Sequence, residues 1–372
     1  MNIWSISFSY RLGLAFHALN NEGAEGSNLM QPRRIDVGKA TYDGISGEMV
    51  RRHILENFVN LCNEQQPPIP VLPLSQALHP DRGPLGIRQK ARQLGVTKLT
   101  RRNPADLYNA TREAIVSCAV LDVGGFLAPF AEKPEAETTG AQAKAPEAAI
   151  EGTLAELGGR EEGAPYTVKR DSVFDVAWLV SEKRQDLAIT QHAAYRPSGT
   201  QSLFSQTMRS NTYGGVIRAD LHRIGTDDYW YLQPGTNGDN LVSRLALGPG
   251  EQRRRQRALV QAIVNFIASP TGAKVAGWAP HVFLTEGAVL LTSSRTAPFV
   301  SPLKVDLADP DAPIAFNVGY SEAMKSLAND TDSWFWSFND AKGLLDALKC
   351  VEQQLPETKG GTDAQNEEKT DG

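Results

Sequence analysis

A chain of 372 residues, 41% hydrophobic and 22% charged, can bury a substantial core and has the balance of a globular protein, not a disordered or fibrous one. It contains no run of about 18 apolar residues, so no transmembrane helix is expected, and the start MNIWSISFSYRLG lacks the pattern of a signal peptide, which makes the cytoplasm the expected compartment. The net charge of −5 is unevenly placed: residues 131–163 carry eight acids and three bases, residues 351–372 carry six acids and two bases, and the remainder is net +4. A mildly basic body of this kind permits a phosphate-binding face.

The first element is a strand. Trp4, Ile6, Phe8, Tyr10, Leu12, Leu14 and Phe16 point one way, and Ser5, Ser7, Ser9, Arg11, Gly13, Ala15 and His17 the other, the period of two expected of a strand with one buried face. The second face is small and polar. It is expected either to lie against a ligand or to be covered by solvent or another subunit. Residues 20–31, rich in Gly and Asn, read as a loop whose backbone can approach a ligand. Arg33 to Lys39 reads as a second strand, and Gly44 as a turn before a helix capped by Ser46. Val50, Ile54, Phe58 and Leu61 form the buried stripe of that helix, with Arg51 and Arg52 off it. Arginines at a helix start, where amide groups and the positive dipole end already favour anions, point to phosphate when Arg33 and Arg34 adjoin them.

Residues 67–84 are proline-rich. Residues 82–102 are a basic excursion, suited either to nucleic acid or to a plain exposed insertion. A helix is expected from Pro104 through Ile115 and Cys118, ending at 122–126. Residues 131–163 read as a flexible acidic insertion. Strands are expected at 173–178, 187–192 and 213–217. Between the last two, residues 192–212 break the pattern and read as a protruding hairpin, whose Leu203, Phe204 and Met208 could wedge between bases or pack on a neighbour. A helix over 251–267 has Leu259, Ile263 and Phe266 on its buried side and Arg253, Arg254, Arg255 and Arg257 in its first turns, a start suited to phosphate or an acidic partner. Strands at 281–284 and 288–292, a helix at 341–348 and a disordered tail from 355 complete the chain.

Motifs of common catalytic sites are missing. No phosphate loop, HExxH, GxSxG or paired CxxC occurs, and the histidines at 17, 53, 79, 192, 222 and 281 never pair at metal-ligand spacing. Cys62, Cys118 and Cys350 read as buried free thiols. No cofactor is expected, and binding is a better reading than catalysis.

The segments FHALNNEGAEGSN, PRRI and GISGEMVRRHI resemble the N-terminal signature of the CRISPR-associated DevR-like proteins, the repeated backbone subunits of type I Cascade surveillance complexes in the RAMP superfamily. The resemblance continues at CAVLDVGGFLAP (118–129), from ITQHAAYRP to SNTYGGV, and at GAKVAGWAPH. It implies an α+β fold: an RNA-recognition-motif-like (ferredoxin-like) palm from residues 1–65, 166–191 and 214–350, a finger-like insertion at 66–165 holding the disordered 131–163, a thumb-like hairpin at 192–213, and a tail at 351–372. Carried over by motif, Ser46, Gly47, Arg51 and Arg52 form the RNA-contacting turn and helix start. His17, Asn20, Asn28, Arg33 and Arg34 lie in the segment facing the RNA backbone, and Phe204 or Met208 is the candidate thumb wedge. The implied partners are the CRISPR guide RNA (crRNA), target nucleic acid through base pairing, further copies of the chain and other Cascade subunits, with no membrane. Related type III subunits cut target RNA with an aspartate in the loop after the first strand. Residues 20–31 contain none, so the expectation is a non-catalytic protein that polymerises along the guide. The alternatives are a ribonuclease of the same superfamily, for which His17 and His53 are the acid–base candidates, and a homo-oligomeric scaffold without RNA.

Overall fold

The structure, a computed structural model, describes residues 5–19, 21–23, 29–73, 104–130, 166–184, 188–195, 201–227, 246–270, 281–329 and 332–355. Expectations for the basic excursion at 82–102, the acidic insertion, Asn20, Asn28, GAKVAGWAP and the tail beyond 355 therefore fall outside the described residues. The strands are β1 (Ser5–His17), β2 (Asn21–Gly23), β3 (Leu29–Val37), β4 (Ala40–Ile45), β5 (Phe126–Phe130), β6 (Tyr166–Arg170), β7 (Phe174–Val176), β8 (Leu179–Arg184), β9 (Ala188–Tyr195), β10 (Gln201–Ala219), β11 (His281–Thr292), β12 (Leu303–Val305), β13 (Ile314–Phe316) and β14 (Ser333–Phe338). The helices are α1 (Gly47–Glu64), α2 (Pro104–Ser117), α3 (Ala119–Gly124), α4 (Pro249–Ala268), α5 (Tyr320–Asn329) and α6 (Ala341–Gln354). The fold is α+β, built on one large, mainly antiparallel sheet. Among the described residues no helix is long and apolar enough to cross a membrane. The chain divides into two units, one of residues 1–71, 173–224 and 248–372, the other of 72–172 and 225–247. Residues 225–247, expected with the palm, thus cluster with the second unit.

The first unit is organised by β1. It pairs antiparallel with β10 on one edge and β11 on the other, so that Phe8 lies opposite both Ile217 and Val289. The sheet runs β14–β11–β1–β10–β8–β4–β3–β2, with β7 and β9 also paired to β10. Ile6, Phe8, Tyr10, Leu12 and Leu14 are all buried, as their alternation requires. Helices α1 and α4 pack on each other and bury Val50, Ile54 and Phe58 on one side and Leu259, Ile263 and Phe266 on the other.

The serine face departs from both readings of the sequence, because the chain covers it with its own later residues. Ser5 Oγ donates to Ser294 O at 2.8 Å, and Ser7 Oγ to Pro298 O at 2.7 Å. The Arg11 guanidinium lies 3.7 Å from the centroid of the Phe316 ring and is held by Glu182 and by Glu286 at 2.6 Å. Ala288 and Leu290, opposite Ser9 and Ser7, pack under Met324 and Ala328 of α5. The small residues on β1 make room for this second layer.

The alternation also fails at its end. A bulge between Leu14 and His17 leaves Phe16 66% exposed at φ 53° and turns His17 inward. A non-glycine residue in that conformation costs about 1–3 kcal/mol, which the surrounding pairing must offset.

Other boundaries shift for similar reasons. The loop expected over 20–31 is strand at 21–23 and 29–31, and the strand expected at 33–39 forms the latter part of β3, ending at Val37 before the turn into β4. Gly44 lies within β4, not at a turn. The helix expected to run through Cys118 divides into α2 and α3. The hairpin predicted at 192–213 is formed by β9 and the first part of β10, pairing Ala188 with Met208 and Tyr195 with Gln201. The same β10 continues through Tyr213 into the central sheet. A strand paired in this way needs no apolar alternation, so Ser- and Thr-rich sequence hid it.

In the second unit, β5 pairs with β6, and a buried ion pair ties three segments together. Arg170 reaches Asp122 Oδ1 at 2.5 Å, donates through Nε to Asp122 O at 2.7 Å and through NH1 to Thr226 O at 2.8 Å. Both Asp122 carboxylate oxygens accept from Gly225 N at 3.0 Å. Asp122 therefore acts as a structural anchor in the CAVLDVGGFLAP segment. Removing one partner of a buried pair leaves an uncompensated charge at a cost of about 3–5 kcal/mol. Arg170→Ala is expected to lower the unfolding free energy read from urea denaturation by that order, well beyond the loss from an exposed arginine such as Arg295→Ala.

Candidate nucleic-acid interface

The segment GISGEMVRR folds as the end of β4, a cap and the first turn and a half of α1. Ser46 is extended, with φ −66° and ψ 143°, and its hydroxyl accepts from Met49 N at 3.3 Å, so the expected N-cap is in place. Gly47 is required by a close approach: a Cβ there would collide with Val176 O of β7, which crosses the helix start. Arg51 reaches over that strand, donating to Phe174 O at 3.2 Å with its guanidinium 5.5 Å from the Phe174 ring centroid. Arg52 is exposed and lies 3.4 Å from Glu56 Oε1, while Glu56 Oε2 meets His53 Nδ1 at 2.7 Å. Chiefly through His53, and also through Arg52, the Glu56 carboxyl is held below its ordinary range.

Arg33 lies on β3, beside the end of β4. It pairs with Gly44, and its guanidinium stands 5.2 Å from the centroid of the Trp178 ring. Trp178, just before β8, is 39% exposed. Strand alternation sends Arg34 to the opposite face, where it is exposed and donates to Gln31 Oε1 at 3.1 Å. The Arg33–Arg34 doublet is thus divided, and only Arg33 adjoins Trp178. Sequence reasoning placed Trp178 in a strand and did not single it out. An aromatic residue at the end of an apolar run carries no signal separating a surface position from the core.

His17 lies elsewhere. It is 1% exposed, and its Nε2 meets Tyr213 OH at 2.8 Å. Tyr213 donates to Asp43, which also receives Arg209, and Arg209 in turn donates to Leu19 O. Burial, and secondly Arg209, hold the His17 imidazole well below its ordinary range, so it is neutral. Burial raises Asp43 above the usual carboxylate range, against the opposing pull of Arg209. A neutral imidazole inside a network of four side chains has no access to a phosphate and acts as an internal strut between β1, β4 and β10. His53 is also buried and committed to Glu56.

Two further expectations change. Met208 is 4% exposed and is a packed residue, not a protruding wedge, whereas Phe204 sits in β10 opposite His192. At the start of α4, Arg255 is fully buried and meets Glu251 Oε1 at 3.1 Å. Arg254 meets Glu251 Oε2 at 2.9 Å and donates to Pro67 O. These arginines hold the helix start to its surroundings and do not form an open phosphate site.

The His17 network has a pH signature. The unfolded histidine titrates near pH 6.5 and the folded one lower, so the unfolded state takes up a proton that the native state refuses, and stability falls as pH drops through about 6.5. Asp43, with its raised pKa, acts in the opposite sense: its contribution is present at low pH and is lost as pH rises through its folded value. Thermal midpoints measured from pH 8 to 5 are expected to fall more steeply in the native protein than in His17→Gln, which keeps a polar partner for Tyr213 but cannot titrate.

The sequence model of the family described as "CRISPR-associated negative auto-regulator DevR/Csa2" matches residues 8–310. No curated protein matches the chain. Among solved structures, the chain is similar to one described as "CRISPR RNA-guided surveillance complex, pre-nicking" at 10% identity and TM-score 0.41, covering 95% of this chain and 100% of that one. A second, "CRISPR RNA-guided surveillance complex", gives 11% identity and TM-score 0.36, covering 94% and 99%. At these scores the structural likeness is too distant to bear on fold or function. The family match runs from Phe8 in β1 through the start of α1, the Asp122 anchor, β10 and β11, and on that ground the chain belongs to the CRISPR-associated DevR/Csa2 family.

Proposed function

We propose that this protein is a crRNA-binding backbone subunit of a Cascade-type CRISPR surveillance complex, acting in antiviral defence by polymerising along the guide. Its other partners are target nucleic acid, reached through the guide's base pairing, and the remaining subunits of the complex. The observation that carries the reading is the start of α1 in a chain of this family. The positive dipole end of a capped helix, which favours an anion, stands beside Arg51 and Arg52, with Arg33 on a neighbouring strand. Contacts of this kind position an RNA backbone without reading its sequence, which leaves recognition to the guide.

An RNA-recognition-motif-like palm is supported by the connectivity of the central strands. Taken in chain order, β1, α1, β8, β10, α4 and β11 follow a βαββαβ pattern, and in space they lie β11–β1–β10–β8. The β9–β10 hairpin is the proposed thumb and residues 66–165 the proposed finger. The protein holds RNA without cutting it. Support for this comes from the burial of His17, the commitment of His53 to Glu56 and the absence of aspartate from residues 20–31.

If Arg51 and Arg52 each neutralise one phosphate, log K for single-stranded RNA falls with log salt less steeply in Arg51→Ala/Arg52→Ala, by about 1.4 in slope. Filter binding of the full chain across a salt series, with circular dichroism to verify folding, measures this. An unchanged slope in a folded double variant would remove α1 from the interface.

A further inference from the structure

We propose that Trp178 is a stacking platform for an unpaired nucleotide of bound RNA, of any base identity, beside the phosphate site at the start of α1. This deepens the proposed function and rests on it. A single exposed aromatic residue on a protein surface is ordinary, so the inference stands on how this one is mounted and what adjoins it.

The mounting is rigid. On one side Ala177 N donates to Val216 O at 2.9 Å, and on the other Leu179 is fully buried opposite Ile45. The indole rests directly on β4 because Gly44 has no side chain. A Cβ at Gly44 would stand 3.2 Å from Trp178 Cε3 and 2.7 Å from Ile35 Cδ1. The ring is therefore pinned to backbone while 39% of the residue stays in solvent. A tryptophan that merely filled a gap would not need its support cleared of a side chain.

The surroundings are those of a nucleotide. Leu179 pairs with Ile45, the residue before the Ser46 cap, and Val176 O abuts Gly47 at the first position of α1. Trp178 thus lies two residues after Val176, which touches the helix start, and one before Leu179, which pairs with the end of β4. A phosphate held near the helix start by Arg51 would bring the base of the same or the next nucleotide within reach of the indole. Arg33 adds a guanidinium 5.2 Å from the ring centroid, within cation–π range of the indole, and supplies a charge suited to a phosphate. Every base has a π face, so such a platform tolerates any sequence, as a subunit repeated along a guide requires.

The test uses the full chain and a single-stranded oligoribonucleotide of mixed sequence, comparing native protein, Trp178→Ala, Trp178→Phe and Arg51→Ala. Loss of one stacked base should weaken binding by roughly five- to a hundredfold in Trp178→Ala, with the salt slope unchanged. Trp178→Phe should recover most of the affinity. RNA should quench the tryptophan emission of the native protein more than that of Trp178→Phe, a readout that does not depend on the alanine variant folding. If Trp178→Ala binds like the native protein and the quenching difference is absent, while Arg51→Ala is weakened, the RNA-binding reading stands and the platform falls. If the native protein binds no RNA at all, the proposed function falls and takes the platform with it.

Discussion

Strand β1 is paired along both edges and covered on both faces, and the rest of the first unit is arranged around that constraint. Its apolar face supplies Ile6, Phe8, Tyr10, Leu12 and Leu14 to the core. Its small polar face is closed by the segment that begins at Ser294 and by α5. A strand so enclosed cannot present a ligand surface from the middle of the sheet, and the proposed RNA site lies at the rim, where a strand ends and a helix begins. The bulge before His17 belongs to the same arrangement. It releases β1 from its alternation, turns an imidazole toward Tyr213, Asp43 and Arg209, and accepts an unfavourable backbone at Phe16 in return.

The rim at the start of α1 works through close approach. Gly47 lets β7 cross the helix N-terminus, and Gly44 lets Trp178 lie on β4. Arg51 and Arg33 each pass over an aromatic ring, which limits their freedom before any ligand arrives. Cations near the positive end of a helix oppose its dipole. The nearby carboxylate of Glu56 offsets this for Arg52 only weakly, because that pair is exposed. A bound phosphate would relieve both the dipole conflict and the repulsion between the arginines, as the proposed RNA-binding role of this rim requires.

The parts legible in the sequence were those governed by one local period. The alternation of β1 up to Leu14, the stripe of α1 with its Ser46 cap, and the buried side of α4 all follow from spacing alone. The failures arose where tertiary pairing overrode local pattern. The serine face looked open because no sequence rule announces that residues 294–329 return to cover it. The hairpin stem of β9 and β10 looked irregular because a ladder of backbone hydrogen bonds does not require apolar alternation. Arg33 and Arg34 looked like one cluster, although adjacent strand residues must face opposite ways. Charge by itself misled at α4, where Arg255 is fully buried against Glu251.

The central claim is that copies of this chain line up along a guide RNA through the rim at α1. The most direct measurement is nuclease protection of guide RNA in particles isolated after co-expression of the full chain with the guide and the other subunits. The account predicts protection that repeats at a constant interval along the guide, with several copies of the chain per RNA. A chain that elutes free of RNA, leaving the guide uniformly open to nuclease, would contradict it.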